Sequence, residues 1–499
     1  MKRLLLFFFI GSISFIAFGQ DSIVSAKVRD LKTKKPIAYA TIQFGKNSGT
    51  ITNNEGLFTV DTSRMSNTDS IAISSIGYEN YVFAKNKEVD SIIFLVPKVE
   101  ELDQVFLTSK ELDVDEIIDL VEENLEKNFP SVIAKRKMFM RSSSTNHVQE
   151  VTFDLQNSTI PEFTKPFFDS LSGMGEGYYY KYEDILGEAL LKGERAKIDP
   201  IKATSITDEN ATDISEDLIE ELKEIIKKRT KKDSYYKIKM GLIGFTVDND
   251  DFKSDDSSTG DSSQGVKISI NEEGSDIYIK DRAIDLKNAL KSNFAYAESL
   301  LNVIEDNNKY KFIKDGIVSD GEMILYRIKF DSKRRSGFKG ELYVNVEDFG
   351  VARIVFKNKR KLEGLSLFGF GYKKFLYAGE WVYERSATGY IPSFIRFEEG
   401  MTAFVDRNFK IIEKNDNVSG RKRQNKTSVD LTVTTSSTDV HEILFYDNKT
   451  ITAEAFDAFK VQEVYKPIVL DAYDAQIWSG YSIIEPNRAF KSFRANSGE

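Results

Sequence analysis

The 499-residue chain contains no cysteine and only two histidines, His147 and His441. The absence of cysteine excludes disulfide bonds, a thiol nucleophile, an iron–sulfur cluster and any zinc site built from thiolates. With two histidines, a three-histidine metal site is impossible, and imidazole general-base chemistry has at most two candidates. The sequence therefore lacks the side chains on which much enzyme chemistry depends.

The charge balance and the missing motifs narrow the function further. A net charge of −9 argues against a nucleic-acid partner, because phosphate binding requires a basic surface. Gly-x-Ser-x-Gly, His-Glu-x-x-His and Gly-x-x-x-x-Gly-Lys are all absent. His441-Glu442 begins like a zinc-protease motif, but its second histidine would fall at position 445, which is Phe. We therefore predict no catalytic residue, no cofactor and no metal site.

Residues 1–19 have the pattern of a secretory signal. Lys2 and Arg3 precede the apolar run Leu4 to Ile10, and Ala17 and Gly19 supply the small residues that a signal peptidase recognises. No later segment approaches the roughly 18 apolar residues of a membrane-spanning helix. We expect an exported protein, located in the periplasm or associated with the outer membrane.

Residues 20–108 are predicted to form a β-sandwich. Short alternating apolar segments are separated by turn residues such as Pro36 and Gly56. The seven predicted strands are 23–28, 40–44, 49–52, 57–60, 70–74, 78–83 and 92–96. So many short strands at close spacing are typical of a sandwich.

This segment contains an ordered set of residues: Val28, Asp30, Thr33, Pro36-Ile37, Ala40, Ile42, Gly49-Thr50, Thr52, Glu55-Gly56, Phe58, Ser75-Ile76-Gly77-Tyr78 and the exit Leu102-Asp103-Gln104-Val105. The set resembles that of the carboxypeptidase regulatory-like domain, a transthyretin-like sandwich common in exported Bacteroidetes proteins. Ser25 and Asn53 depart from the usual Gly and Asp, but both keep turn chemistry. The resemblance implies a module that accompanies carboxypeptidases without carrying their zinc.

The next part of the chain mixes helices and strands. Asp113 and Glu116 form a capping box before a helix with Ile117, Ile118, Val121 and Leu125 on one face. Residues 136–143 and 151–156 are predicted as a strand pair, and 215–228 as a second helix. Gly173 to Gly177 looks like a phosphate loop, but Tyr178 to Tyr180 after it predicts a strand, so we interpret it as a turn.

Residues 248–265 are acidic and rich in Ser and Gly. They lack the ligand order of an EF-hand, so a flexible loop is favoured over a calcium site. The sequence predicts strands over 266–270 and 277–280 after this loop. A helix follows, containing Leu290, Phe294, Ala297, Leu300 and Leu301.

The remainder is predicted as an antiparallel meander. The predicted strands are 309–313, 323–330, 340–346, 351–357, 370–376, 380–386, 389–397, 401–405 and 428–436. The glycine-rich stretch Gly364 to Gly371 is predicted as a bend or a mobile loop, and Trp478 and Tyr481 as anchors of the C-terminus.

The predicted fold class is mainly β (α+β), with a seven-strand transthyretin-like sandwich over 20–108 and a larger domain over 109–499. In the larger domain, an antiparallel meander or half-barrel covers its apolar face with helices. This architecture resembles that of periplasmic lipoprotein carriers, which hold acyl chains between sheet and helix. A small closed outer-membrane β-barrel is the competing interpretation.

Three functions stay open on the sequence alone. The favoured one is a non-catalytic cell-envelope protein that binds an envelope protein, a lipid or a glycan through its β-rich domain, with the sandwich as spacer or docking module. The alternatives are an envelope hydrolase with paired carboxylates, similar to a glycosidase, and the small barrel. The 78 acidic residues do not single out a carboxylate pair, and a peripheral association with the outer membrane is expected.

Overall fold

The computed structural model describes residues 23–495 except 46–47, 64, 67, 86, 88, 99–111, 209–215, 232, 241–242, 249–277, 297 and 463. The predicted signal (1–19), the exit motif Leu102–Val105 and all of the acidic loop 248–265 except Asp248 lie outside the described residues. The chain divides into two compact units, 1–98 with 475–487 and 99–474 with 488–499. Sequence analysis had assigned 475–487 to the second domain.

The first unit is a sandwich of two sheets, as predicted. Its strands are β1 Ile23–Asp30, β2 Thr41–Phe44, β3 Ser48–Ile51, β4 Leu57–Asp61, β5 Ser70–Ser74, β6 Tyr81–Ala84 and β7 Ile92–Leu95. One sheet has the order β4-β1-β7 and the other β3-β2-β5-β6. Their alternating apolar side chains, among them Val28, Ile42 and Phe58, are fully buried between the sheets.

Several residues of the family motif contact one another. The Asp30 carboxylate accepts hydrogen bonds from the Thr33 backbone N–H and from the Tyr78 hydroxyl. Gly56 has φ +74°, and a Cβ there would lie 2.5 Å from the Val28 carbonyl oxygen, so only glycine fits. These motif residues therefore stabilise the turns of the sandwich.

The segment 475–487 completes the first unit. The Thr50 hydroxyl donates to the Ile483 carbonyl at 2.7 Å, and Trp478 and Ile484 are buried. The burial of Trp478 agrees with the predicted anchor, whereas Tyr481 is 37% exposed.

The second unit is built on a large antiparallel sheet. Its first strands are β8 Ala134–Ser158, β9 Gly177–Lys192, β10 Arg195–Thr207, β11 Tyr235–Met240, β12 Ile243–Asp248, β13 Tyr310–Asp320, β14 Met323–Ser332 and β15 Phe338–Asn345. The others are β16 Val351–Asn358, β17 Glu363–Leu367, β18 Phe370–Ser386, β19 Gly389–Lys414, β20 Arg423–Phe445, β21 Lys449–Thr450 and β22 Ile468–Val469. The main path is β13-β14-β15-β16-β18-β19-β20-β8-β9-β10-β22.

Short helices accompany this sheet. They are α1 Val114–Glu123, α2 Leu125–Asn128, α3 Lys165–Leu171, α4 Glu216–Arg229, α5 Tyr278–Lys291, α6 Ala453–Ala458 and α7 Arg488–Ser492, with 3₁₀ turns at Asn307–Lys309 and, in the first unit, Ala475–Trp478. The capping box of α1 is present as predicted, since Asp113 accepts from the Glu116 N–H and Glu116 from the Asp113 N–H. No helix in the described part of the chain has both the length and the apolar character needed to cross a bilayer.

Several predicted element boundaries were wrong. Residues 136–143 and 151–156 belong to one strand, β8, and 389–397 and 401–405 to another, β19. Residues 278–280, predicted as the end of a strand, begin helix α5, and the predicted helix around Phe294 and Leu301 consists of turns. Of the residues assigned to that helix, Leu290 lies in α5; Leu290, Phe294 and Leu301 are buried, whereas Leu300 is 51% exposed.

Helix α5 and the turns after it fill the inner face of the sheet. Trp381 of β18 is fully buried, and its indole N–H donates to the Ser292 hydroxyl at 3.0 Å. Phe294 packs edge-on against Phe129, with ring centroids 5.2 Å apart. The space between sheet and helix, where the sequence suggested room for an acyl chain, is therefore occupied by packed side chains in the described residues.

Candidate functional site

An inner polar cluster lies where α5 crosses the sheet. We define it as Ser142 of β8, Glu183 of β9, Arg282 and Asp285 of α5, and Asp439 and His441 of β20. In the strand register, His441 lies opposite Ser142, and Ser142 opposite Glu183. Side chains in such a row point to the same face, so three strands present this row toward the helix.

The Arg282 guanidinium forms ion pairs with two carboxylates, one on the sheet and one on its own helix. Arg282 Nη1 lies 2.6 Å from Glu183 Oε2, and Nη2 lies 2.9 Å from Asp285 Oδ2. Glu183 and Arg282 are 4% and 8% exposed, so this ion pair is screened little by solvent. The arrangement compensates buried charge and holds α5 against the sheet.

The environment of the cluster shifts two pKa values in opposite directions. Burial raises the pKa of Asp285 to about 7, with Glu183 and Asp439 adding to the shift and the Arg282 guanidinium opposing it. Burial and, to a smaller extent, the charge of Arg282 lower the pKa of His441 to about 4. His441 is therefore neutral at pH 7.

Ser142, His441 and Asp285 do not have the geometry of a catalytic triad. The Ser142 Oγ lies 2.9 Å from His441 Nδ1, and Asp285 Oδ2 lies 3.9 Å from the same nitrogen. A triad needs the serine and the carboxylate on opposite ring nitrogens, so that the imidazole can relay a proton. Ser142 and His441 are also only 2% and 4% exposed, which leaves a substrate no direct access.

The two histidines do not come together at a metal site. His147 pairs with Ser436 and His441 with Ser142, so they lie five residues apart along the strands, or about 17 Å. His147 instead stacks on Tyr178, with ring centroids 3.9 Å apart. Among the residues that the structure describes, no three His, Asp or Glu side chains are arranged to hold a metal ion. Gly173 to Gly177 leads directly into strand β9, as the turn interpretation requires.

A second buried ion pair lies on the opposite, outer face of the sheet. Arg141 Nε and Nη2 donate to the two oxygens of Asp184 at 2.8 and 2.7 Å, and the two residues are 3% and 0% exposed. Phe490 of α7 covers them, with its ring 5.0 Å from the guanidinium and stacked on Tyr182. The pair fastens the C-terminal segment 488–495 of the second unit to the sheet.

The exposed end of the sheet beyond β16 has a different character. Strand β17 and the start of β18 form a two-residue hairpin, which we call the apolar hairpin (residues 363–372). Leu365, Leu367 and Phe368 are 56%, 54% and 54% exposed, and Tyr372 is 38% exposed. Large apolar side chains grouped in this way on a surface commonly mark an interaction site.

Cations surround the base of this hairpin. We call them the basic end: Lys333, Arg334, Arg335, Lys357, Lys359, Arg360, Lys361, Lys373 and Lys374. Lys359 connects the two loops involved, since its N–H donates to the Gly337 carbonyl and its ammonium to the Ser332 carbonyl, both at 2.8 Å. In the segments 333–335, 357–363 and 373–374, Glu363 is the only acidic residue. A chain of net charge −9 thus concentrates positive charge at one place.

Sequence reasoning missed both arrangements. His441 was noted only as the start of a zinc-protease motif that the chain does not complete. The residues of the inner polar cluster come from three strands and a helix, so no local sequence pattern predicts that they meet. The apolar hairpin was predicted as a bend or a mobile loop over 364–371, which is wrong, because these residues pair in register. The alternation of Leu365 and Leu367 before Phe368-Gly369, followed by Phe370 and Tyr372, was the available signal.

The inner polar cluster predicts a dependence of stability on pH. Asp285 has a raised pKa, so its contribution is present near pH 4 and is lost as pH rises through about 7. His441 has a lowered pKa, so its contribution is present above pH 6.5 and is lost as pH falls toward 4. Between pH 4 and 6.5 the two trends oppose each other.

Replacing Asp285 with asparagine should therefore expose the histidine trend. We expect the free energy of unfolding of Asp285→Asn to rise by roughly 2 kcal/mol from pH 4 to 6.5, more steeply than that of the wild type. Urea unfolding at half-unit pH steps measures this. His441→Gln serves as the control and should show the opposite slope. Parallel pH profiles for the three proteins would contradict the assignment.

Comparison with known proteins places the first unit in a family. Residues 24–107 match the family model of the CarboxypepD_reg-like domain, so the predicted carboxypeptidase regulatory-like domain is present. The match covers the sandwich and ends at residue 107, within the first residues of the second unit. No curated protein matches the chain.

Two solved structures have some similarity to the chain. One is a LolA superfamily protein from Nitrosomonas europaea, 9% identical, covering 70% of this chain and 99% of that one, with a TM-score of 0.16. The other is the MucA/MucB complex of Pseudomonas aeruginosa, 6% identical, covering 64% and 93%, with a TM-score of 0.16. At such TM-scores neither similarity bears on the fold or function of this chain.

Proposed function

We propose that this protein is a non-catalytic component of the cell envelope that binds an anionic partner through its β-rich second unit, with the sandwich as spacer or docking module. The basic end is the observation that carries the proposal. Seven of its nine cations are exposed and form no ion pair among the described residues: Lys333, Arg334, Arg335, Lys357, Arg360, Lys361 and Lys373. The other two are paired, Lys359 with Asp331 and Lys374 with Glu363 and Glu399. Like charges grouped in this way repel one another, and an anionic partner relieves that repulsion.

The buried acids and bases of the second unit are consistent with a binding function rather than a catalytic one. The paired acids and bases of the second unit, Glu183 with Arg282 and Asp184 with Arg141, are buried and neutralise each other. Export to the periplasm, or to the periplasmic side of the outer membrane, follows from the signal pattern of residues 1–19 and belongs to the same proposal. Lipid headgroups and acidic glycans are the two anionic surfaces of an envelope.

Two binding assays test the proposal: co-sedimentation with vesicles and retention on an immobilised polysaccharide. The chain lacking residues 1–19 is mixed with vesicles of phosphatidylcholine containing about a third phosphatidylglycerol, and separately passed over an immobilised acidic polysaccharide. We expect binding to at least one probe, weakening as salt rises from 50 to 500 mM, because exposed charges are screened.

A charge-reversal variant locates the surface. Arg334→Glu/Arg335→Glu should bind at least about tenfold more weakly, since each cation near an anionic surface contributes about 1 kcal/mol. Lys460→Glu/Lys466→Glu is the matched control, because both residues are exposed, lie outside the basic end and change the net charge equally. Equal losses in both variants, or a wild-type protein that binds neither probe, would refute the proposal.

A further inference from the structure

The apolar hairpin has one hydrophobic face and one small, polar face. In its register Leu365 pairs with Tyr372 and Leu367 with Phe370. The alternate positions, which point to the other face, are Gly364, Ser366, Gly371 and Lys373. All five residues of β17 are exposed, and the Arg407 guanidinium lies 6.0 Å from the centroid of the Phe368 ring.

The turn places a phenylalanine where small or polar residues are normal. Phe368 and Gly369 have φ +52° and +77°, as in a type I′ turn. Asn or Asp usually occupies the first of these positions, because a bulky side chain is disfavoured at positive φ. The strained backbone holds the Phe368 ring at the tip of the hairpin with 54% of its surface exposed.

The hydrophobic face continues onto the neighbouring strand. Tyr372 lies opposite Ala403 and Lys374 opposite Met401 in β19, and Met401 is 41% exposed. The hairpin and this part of β19 thus form one apolar surface. Lys374 lies on the same face and is paired with Glu363 and Glu399, and the exposed Lys361 precedes the hairpin by two residues. Apolar side chains that project beyond a basic rim match the layering of an anionic bilayer, in which charged headgroups overlie hydrocarbon.

From this geometry we infer that the apolar hairpin inserts into the interfacial region of an anionic lipid bilayer while the basic end binds the headgroups. The inference rests on the proposed function and specifies that the anionic partner is a lipid surface. Insertion removes Leu365, Leu367 and Phe368 from water, which headgroup attraction alone does not. An acidic glycan has no apolar layer to receive these side chains.

Strand β17 is also an edge strand, so pairing with a second copy is the main alternative occupant. Strand pairing uses backbone hydrogen bonds along the edge and brings two copies of the same strand together. Each copy would then bring close to the other its seven cations that form no ion pair among the described residues, and this repulsion opposes such pairing. The charge distribution therefore favours the lipid surface.

The absence of cysteine makes the insertion directly measurable. Phe368→Cys introduces a unique thiol for the environment-sensitive fluorophore NBD, and Ile201→Cys, at a residue that is 50% exposed on β10, provides the matched label. With phosphatidylglycerol-containing vesicles, NBD at 368 should shift to the blue and be quenched by lipids that are spin-labelled near the headgroup end of the chain. NBD at 201 should not respond.

An affinity measurement accompanies the label. Leu365→Ser/Leu367→Ser/Phe368→Ser should bind these vesicles at least about 100-fold more weakly, because burial of each such side chain is worth about a factor of ten. Ile201→Ser/Ile284→Ser/Val469→Ser removes three side chains of similar or greater exposure elsewhere in the second unit and should retain the wild-type affinity. All six sites are exposed, so both variants are expected to fold.

The outcomes separate this inference from the proposed function. If the triple-serine variant binds as the wild type does and NBD at 368 is silent, the hairpin does not insert and only charge-based binding stands. If the wild type binds no vesicle and no polysaccharide, both proposals fail. If light scattering detects a dimer that Phe368→Ser dissociates and the label does not respond to lipid, the surface joins two copies and the inference is overturned.

Discussion

Replacement of Asp184 by alanine is expected to lower the free energy of unfolding of the second unit by about 3–5 kcal/mol. The variant removes the carboxylate that binds the Arg141 guanidinium through two hydrogen bonds, at a residue that is only 3% exposed. It also loosens the cover above the pair, because Phe490 packs on both Arg141 and Tyr182. Loss of a bidentate counter-charge at a buried site is among the largest effects that one substitution can have.

Intrinsic fluorescence can follow this transition in one unit at a time. The chain has two tryptophans, Trp478 in the first unit and Trp381 in the second. In a Trp478→Phe background, urea unfolding monitored at Trp381 therefore reports on the second unit. Asp169→Ala, which breaks an exposed i,i+4 pair with Lys165, is the control and should change stability by less than about 0.5 kcal/mol.

A double variant distinguishes the cost of an unpaired charge from the value of the pair. Arg141→Met/Asp184→Leu removes both charges and should recover most of the stability lost in Asp184→Ala, since a buried ion pair is often no better than an apolar pair of similar volume. A loss below 1 kcal/mol in Asp184→Ala would mean that water reaches Arg141, contrary to the packing described above.

Replacement of Trp381 by alanine should destabilise the second unit by about 3–5 kcal/mol. The indole is fully buried between sheet and helix, and its removal leaves a large cavity as well as the Ser292 hydroxyl without its donor. Urea unfolding followed by far-ultraviolet circular dichroism measures the loss. Ser292→Ala keeps the indole in place but removes this hydrogen bond and the one that the Ser292 hydroxyl donates to the Ala289 carbonyl, and it should cost about 1–3 kcal/mol.

The Trp381 result also bears on how the inner face is used. A loss of less than 1 kcal/mol would indicate that the space under the sheet is loosely filled, and an acyl chain bound there would again deserve a test. A large loss means that this face is core, so binding must use the outside of the unit. The apolar hairpin and the basic end then become the surface to examine.

Regular local patterns made much of the fold predictable. The sandwich was predicted because its strands are short and alternate apolar with polar residues. They are separated by residues typical of tight turns, such as Gly56. Helix α1 was predicted from Asp113, Glu116 and an apolar stripe, and its capping box is present. In both places the determining interactions lie within a few residues of one another.

The long strands were misjudged because their continuity is imposed by neighbours. Between the two predicted halves of β8 lies Ser144-Thr145-Asn146-His147, a polar stretch with little strand signal of its own. Its residues are nonetheless paired on both sides, as Thr145 is with Thr438 in β20 and with Tyr180 in β9. Backbone hydrogen bonds to the two flanking strands keep this stretch extended, although its own residues have little preference for a strand.

Helix α5 was missed for a related reason. Its buried positions are Ile279, Arg282, Leu286, Ala289 and Leu290, which follow helical spacing. The second of them is an arginine, which interrupts an apolar stripe read from sequence. Arg282 is buried only because Glu183, from a strand about 100 residues earlier, supplies the opposite charge.

By itself the sequence determined the sandwich, the mainly β character of the chain and the lack of thiol chemistry, because these depend on composition and on spacing between near neighbours. Only the tertiary structure decided which charges are buried and paired, which apolar residues fill the inner face, and which stay in water on the hairpin. The reason is physical: burial and charge pairing depend on which distant segments meet. Leu365 stands in the same alternating apolar pattern as a core residue, and it is exposed because no element of the described structure buries it.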